Sequence, residues 1–390
     1  MMKLLYIAQI RLPTEKAHGY QIMKTCEALS ACGNVVSLWV TSRASSGLLL
    51  DPFEVYRIKK SFLIQRLSIV DTFARLPSIL HSFGFYLMRW MFLIQVRRRY
   101  SEVRSMDAVY TRDVFVARML VRLKHPSVYL ELHALPSVKE LQSLHGIAGI
   151  ICVTSWMTEQ VRLHLPRVLV STVADAVDID VFDSKATKSE ARQTLGLDPS
   201  LFLVMYGGRF STLGIGKGLR ELDRAVQGLS MANSSLRLIL VGGTTNEFEQ
   251  IEQQKPGAQT VCIGNVSRDT LALYYRASDL LVMPFPNIHH YAVEMSPLKM
   301  FEYLASGTLI LASDLPSVRD VLEETSAILY DPDQPLALEQ GIVRAMALSA
   351  EQRGRMEYRS KQLAQKYTWD CRAQRITNFM HPSNVSDRIR

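Results

Sequence analysis

Short runs of β-branched and apolar residues recur along almost the whole chain. Each is followed by an amphipathic stretch, the alternation that a parallel sheet wrapped by helices requires. One series of runs covers 4–9, 35–40, 108–112, 128–133, 149–154 and 168–173. A second covers 201–207, 236–242, 260–264, 280–285, 308–313 and 327–330. The polar, charged segment 175–199 separates them and reads as an interdomain linker. The expected fold is therefore α/β: two Rossmann-like, doubly wound parallel-sheet domains facing a cleft. The helical stretch 335–380 is long enough to return across both. At about 100–200 residues per domain, 390 residues accommodate such a pair.

In open α/β sheets, ligands bind beyond the carboxyl ends of the strands, so residues just past each run are examined first. After the run 280–285 comes E-M-S-P-L-K-M-F-E-Y-L-A-S-G, Glu294 to Gly307. Ser296 is a suitable N-cap, Pro297 suits the first helical position and Gly307 the C-terminal stop. The free N–H groups at Leu298 and Lys299 can then hold a phosphate. Glu294 lies outside the helix start and Glu302 more than a turn inside it. Two carboxylates flanking an anion suit hydroxyl donors such as those of sugars. The blander alternative is a capped helix with a Lys299–Glu302 surface pair.

A second cluster follows the run 201–207: Tyr206-Gly207-Gly208-Arg209, then Lys217-Gly218 opening a helix. Glycines permit close backbone approach, Arg209 offers a bidentate fork and Lys217 a point charge, equipment suited to a diphosphate. The spacing matches neither a P-loop nor G-x-G-x-x-G, and a solvated turn is the alternative. Near the first run, His18-Gly19 occupies the place of a phosphate-approaching loop, with a helix expected from about Tyr20. His133 ends another run, where a histidine serves either as a hydrogen-bond partner or as a satisfied structural residue.

From Phe83 to Val96 the chain is densely apolar and closes on Arg97-Arg98-Arg99. These 14 residues fall short of the roughly 20 needed to cross a bilayer. The segment reads either as an interfacial helix meeting anionic headgroups or as a buried crossover helix with its arginines solvated. The net charge of +8 calls for an anionic partner but does not choose among nucleic acid, lipid and phosphorylated small molecules. No nucleic-acid-binding motif is present, so nucleic acid is not expected. The five cysteines form no C-x-x-C pair, and the apolar start at Leu4 reaches Gln9 and Arg11 too soon for a signal-peptide core. A cytoplasmic protein is expected, with a peripheral place on the inner face of the cytoplasmic membrane as one reading.

Together these motifs resemble the retaining GT-B glycosyltransferases of family 4, within the group 1 glycosyltransferases and the glycogen-synthase-like superfamily. The resemblance spans the His18-Gly19 segment, residues 129–133, Gly207-Gly208-Arg209 with Lys217, Gly264-Asn265-Val266, the Glu-x7-Glu pair Glu294/Glu302, and Tyr367-Thr368-Trp369-Asp370. It implies an acceptor domain over 1–175, a nucleotide-sugar domain over 176–365, and a terminal helix, 366–390, packing back on the first domain. It also implies a donor pyrophosphate neutralised by Arg209 and Lys217, with Gly19, Gly208, Pro297 and the amides of Leu298 and Lys299 around it. Glu302 would take the ribose, Glu294 the transferred sugar, Asn265 and Val266 the base, and His133 the sugar near the reaction centre. The catalytic set is then His133, Glu294, Arg209 and Lys217. A UDP- or GDP-linked sugar is the expected donor and a glycan or lipid-linked hydroxyl the expected acceptor. No metal and no other cofactor is expected.

Four rivals remain. Asp178-Ile179-Asp180 matches the Asp-x-Asp of metal-dependent transferases but falls in the expected hinge. Ser296-Pro297-Leu298-Lys299 matches the S-x-x-K of acyl-serine hydrolases without the partner motifs. The same fold also hosts nucleotide-sugar epimerases and hydrolases. A basic, non-enzymatic binding module has charge alone in its favour.

Overall fold

The computed structural model describes residues 1–14, 16–42, 50–70, 81–212, 214–253 and 256–381. The chain divides into two compact units, Met1–Ala174 with Trp369–Arg390, and Asp175–Thr368.

The first unit is a seven-stranded parallel sheet ordered β3-β2-β1-β4-β5-β6-β7. Its strands are β1 (Lys3–Ile7), β2 (Val35–Ser42), β3 (Leu63–Ser68), β4 (Ala108–Thr111), β5 (Val128–Leu132), β6 (Gly149–Cys152) and β7 (Leu169–Thr172). β4, β5 and β6 are buried at every position, as parallel strands covered on both faces must be. β3 was not expected. It is the sheet edge, and its polar Gln65, Arg66 and Ser68 dilute the apolar run that marks the other strands.

The helix Trp369–Met380 belongs to this unit and lies along the helix Ala17–Ala31. Trp369 meets Tyr20 edge-on at 6.1 Å, and Asn34 donates to Thr377 Oγ1 at 3.1 Å. Phe379 fills the space beside Gly149, where an added Cβ would come within 2.7 Å of its ring. Residues 382–390 of the expected terminal helix lie outside the described residues.

The second unit carries a six-stranded parallel sheet ordered β12-β11-β8-β13-β14-β15. It is formed by β8 (Phe202–Gly207), β11 (Leu236–Val241), β12 (Thr260–Ile263), β13 (Leu280–Met283), β14 (Ile310–Ser313) and β15 (Ile328–Tyr330). A two-stranded hairpin, β9 (Ser211–Thr212) and β10 (Ile215–Gly216), follows β8 and was also missed. The strand order reverses between β8 and β13, so a ligand crevice is expected beyond their carboxyl ends.

The stretch 175–199 is not a free linker. Its helices Ile179–Phe182 and Lys188–Leu195 pack on the helix Arg268–Ala277, and the Arg192 guanidinium bonds Asp279 at 2.6 Å. Val177 donates to the Tyr367 carbonyl at 2.9 Å and bridges Thr368. The units accordingly divide at 174/175 and 368/369, a few residues from the expected 175/176 and 365/366.

Candidate functional site

In the second unit, β8 runs into Gly207-Gly208-Arg209 at the point where the strand order reverses. Gly207 donates to the Tyr303 hydroxyl at 3.0 Å, and a Cβ there would lie 2.5 Å from the Tyr275 hydroxyl. The β9–β10 hairpin then folds the chain back, so that the Lys217 amide bonds the Phe210 carbonyl at 3.2 Å. This is why two basic residues eight apart in sequence stand side by side. The helix Leu219–Ser230 starts at Gly218, whose φ is +77°. A Cβ there would sit 1.7 Å from the Pro284 carbonyl oxygen, so only glycine fits.

Arg209 is half exposed, and its Nε lies 3.9 Å from Glu247 Oε2. Glu247 is buried and also accepts from the Ser211 amide (2.9 Å), the Ser211 hydroxyl (2.5 Å) and the Thr244 amide (2.9 Å). Burial alone would raise its carboxyl, but these donors together with Arg209 hold it below the usual value. Sequence reasoning missed Glu247. Its signal was the Thr244-x-x-Glu247 capping pattern directly after Gly242-Gly243. Burial pulls the Lys217 ammonium down to about 8; Glu247 opposes the shift and Arg209 adds to it. A cavity of about 370 Å³ lies here, lined by Phe210, Lys217, Glu247 and Pro286 among others.

The helix that follows β13 spans Leu298–Ser306 and ends at Gly307, φ +64°. Its N-cap is Pro297 and not Ser296, because the Ser296 hydroxyl accepts the Asp175 amide at 3.0 Å and does not cap the helix. Before it stands a π-helical turn, His290–Glu294. The alternative, a Lys299–Glu302 surface pair, does not form; both side chains are buried. Lys299 Nζ lies 3.3 Å over the Tyr206 ring and has no hydrogen-bond acceptor. Burial drives its pKa well below the usual lysine value, with Lys217 adding to the shift and Glu302 and Glu247 opposing it. The site of a Cβ on Gly208, at φ +110°, is 3.4 Å from this ammonium, so Gly208 leaves the approach open.

Glu302 takes Arg268 Nη2 at 3.2 Å and the Tyr275 hydroxyl at 3.2 Å. Arg268, not anticipated from sequence, lies three and two residues past Asn265 and Val266 and over the Phe182 ring at 5.0 Å. Glu294 is approached by His290 Nδ1 at 3.4 Å and His289 Nε2 at 3.8 Å, neither of which had been singled out. The structure thus gathers Gly208, Arg209, Lys217, Lys299 and Glu302 with Glu247 at the carboxyl end of β8. Glu294, Pro297 and Leu298 enter the same helix start, and Asn265 and Val266 lie in the loop after β12. Asp178 and Asp180 flank the start of the short helix Ile179–Phe182, not a strand end. Among the described residues, no group of three or more His, Cys, Asp and Glu is placed to hold a metal ion.

Gly19 and His133 belong to the first unit. Gly19 lies in the first turn of the helix Ala17–Ala31 and not in a loop, and a Cβ on it would meet the side chains of Thr14 and Tyr56 at 2.4 and 2.5 Å. His18 is pushed down to about 4 by burial, with Arg112, Lys16 and His133 adding to the shift. The His133 ring bonds Glu131, which is fully buried and also bound by Tyr110 and, at 2.8 Å, by Arg372.

Residues 187–363 match the family model described as glycosyl transferases group 1. This stretch is similar to the group 1 glycosyl transferases. A curated relative, an uncharacterized glycosyltransferase of Methanocaldococcus jannaschii, is 22% identical over 247 residues. The alignment covers 61% of this chain and 61% of that protein, so the chain spans about three fifths of the relative's length.

Among solved structures, the sucrose-phosphate synthase of Thermosynechococcus elongatus superposes with a TM-score of 0.72 at 17% identity, covering 98% of this chain and 100% of that one. The Anabaena protein HepE, in complex with UDP-glucose, gives 0.67 at 16%, covering 97% and 99%. An α,α-trehalose 6-phosphate synthase from Burkholderia multivorans gives 0.72 at 13%, covering 99% and 100%. At these identities the likeness is one of fold: two parallel-sheet α/β units of GT-B type. The group 1 segment covers all of the gathered cluster, from Gly208 to Glu302.

Proposed function

We propose that the protein is a retaining, metal-independent glycosyltransferase of family 4. It takes a UDP- or GDP-linked sugar as donor and a hydroxyl on a glycan or lipid-linked molecule as acceptor. The observation that carries this reading is the Lys299 ammonium. It is buried, has no hydrogen-bond acceptor, and stands beside Lys217 at the opening of a helix. A buried amine with no hydrogen-bond acceptor is expensive, and a diphosphate placed there supplies the missing acceptor and counter-charge. The neighbour crystallised with UDP-glucose supports the choice of ligand class.

The demanding event is departure of the nucleoside diphosphate as positive character grows at the anomeric carbon. Arg209, Lys217, Lys299 and the amides of Leu298 and Lys299 stabilise the charge appearing on the leaving phosphate. The anomeric C–O bond to phosphate breaks while the acceptor oxygen bonds from the same face, and the acceptor proton passes to the departing phosphate oxygen. Glu302 takes the ribose hydroxyls, exchanging part of its bond to Arg268, and Glu294 takes those of the transferred sugar. The loop carrying Asn265 and Val266 faces the base. Assignment of His133 to the sugar and Gly19 to the phosphates rests on the resemblance alone, as do the acceptor role of the first unit and retention.

Donor binding is expected to follow the Lys217 proton. With the free group near 8, a diphosphate prefers the charged form, and because Lys299 is also held well below the usual lysine value its proton is taken up too, so affinity falls as pH rises. It weakens by about tenfold or more per pH unit above 8, where protons must be taken up on binding. Calorimetric titration of UDP- and GDP-linked sugars across this range tests the reading and separates the two bases. Affinity that stays flat through pH 8–10, or binding of neither donor, contradicts it.

A further inference from the structure

The helix His81–Arg98 is apolar on both sides. Met88, Phe92 and Val96 form its inner face and are fully buried, Phe92 and Val96 within the core of the first unit. The outward stripe follows the helical spacing 83, 86 and 90. Phe83 is 61% exposed, Tyr86 64% and Trp90 61%, with half-buried Leu87, Leu93 and Ile94 beside them. Three large rings side by side in water form a patch of the kind that marks an interaction site. Arg97 and Arg98 are exposed at the end of this stripe. Within it, the Arg89 guanidinium lies 4.7 Å over Phe85 and 4.0 Å over Phe115, and its buried Nε has no acceptor.

Charge selects the occupant. From Thr72 through Ser101 the sequence contains no Asp or Glu but five arginines. The whole first unit holds 26 Lys and Arg against 13 Asp and Glu, whereas the second holds 19 against 24. The basic excess of the chain therefore lies in the unit that bears the aromatic stripe. A second copy docking here would bring one strongly basic surface against another, whereas an anionic bilayer complements both charge and apolar face. No helix among the described residues is long and apolar enough to cross a membrane, so the contact is interfacial.

We infer that Phe83, Tyr86 and Trp90 insert among the acyl chains of an anionic phospholipid surface while Arg97 and Arg98 pair with its headgroups. The outward face of the helix then lies in the interfacial plane, and its inner face stays in the protein core. The inference concerns the first unit alone and stands whether or not the donor reading does.

Co-sedimentation of the full chain with vesicles tests it, using phosphatidylcholine alone and phosphatidylcholine with about one third phosphatidylglycerol. The wild type should bind the anionic vesicles and release from them as salt is raised. Arg97→Gln/Arg98→Gln should lower partitioning by about 30-fold. Phe83→Ser/Tyr86→Ser/Trp90→Ser should abolish it, a loss on the order of 100-fold or more. These side chains stand outside the core, so the thermal midpoint should not move. Brominated lipid should quench Trp90, and Trp90→Phe should remove most of that quenching while binding persists, since Trp39 and Trp369 are buried and Trp156 is half-buried against the core. Equal sedimentation of the wild type and the triple serine variant, absence of wild-type binding, or a concentration-dependent dimer that the serine variant dissolves would each overturn the inference.

Discussion

Arg209→Ala is expected to slow sugar transfer by about 10²–10³ while leaving the fold intact. Its side chain is half exposed, so truncation opens no cavity. Its carboxylate partner Glu247 keeps the Ser211 and Thr244 donors. The change in stability should stay within about 0.5 kcal/mol. The loss should fall in kcat, because in the proposed mechanism the guanidinium faces charge that develops on the leaving diphosphate. Arg209→Lys should recover part of the rate, having charge without the bidentate fork. Steady-state kinetics with an unfolding curve checks both halves. A variant that transfers at the wild-type rate would remove Arg209 from the site, and one that fails to fold would make it a structural residue.

Arg372→Ala is expected to destabilise the first unit by about 3–5 kcal/mol. The guanidinium is 3% exposed and holds Glu131 at 2.8 Å, the Ala174 carbonyl at 3.1 Å and Thr25 Oγ1 at 3.3 Å. It thereby ties the helix Trp369–Met380 to β5. Burial alone would raise the Glu131 carboxyl, but Arg372, His133 and Arg112 overcome this and hold it well below the usual range. A depressed carboxyl stabilises above the pKa of the unfolded chain and loses that contribution as pH falls through the folded value. The penalty of the variant should therefore be full at neutral pH and shrink in acid. Adding Glu131→Gln to Arg372→Ala should cost less than the sum of the two single changes, because the stranded charge is gone. Calorimetric unfolding of the single and double variants measures this; a loss below about 1 kcal/mol would deny the buried pair its role.

The strands were legible because parallel strands covered on both faces are dominated by apolar residues, continuously so in β6 and β13. β3 escaped because its edge position lets Gln65 and Arg66 replace that pattern. The segment 175–199 misled for a related reason: its helices are short and polar, yet Arg192 anchors them through Asp279 and the Ala277 carbonyl. At the site, motifs contiguous in sequence marked Gly208, Arg209, Lys217, Lys299 and Glu302. The groups that hold them, Glu247, Arg268 and Tyr275, are distant in sequence and reach them only through strand order. Nor could the spacing of Lys299 and Glu302 reveal burial, since on a solvated helix the same spacing gives a surface ion pair.

The central claim is that Lys299 is a buried amine kept for an anionic ligand, and Lys299→Met tests it most directly. Methionine fills a similar volume without the charge, so the ligand-free protein should become more stable, by about 1–4 kcal/mol. The thermal shift given by a UDP- or GDP-linked sugar should vanish; for the wild type at about 100 times its Kd that shift corresponds to about 2.7 kcal/mol. A methionine variant that keeps the wild-type shift, or that unfolds more readily without ligand, would contradict the account.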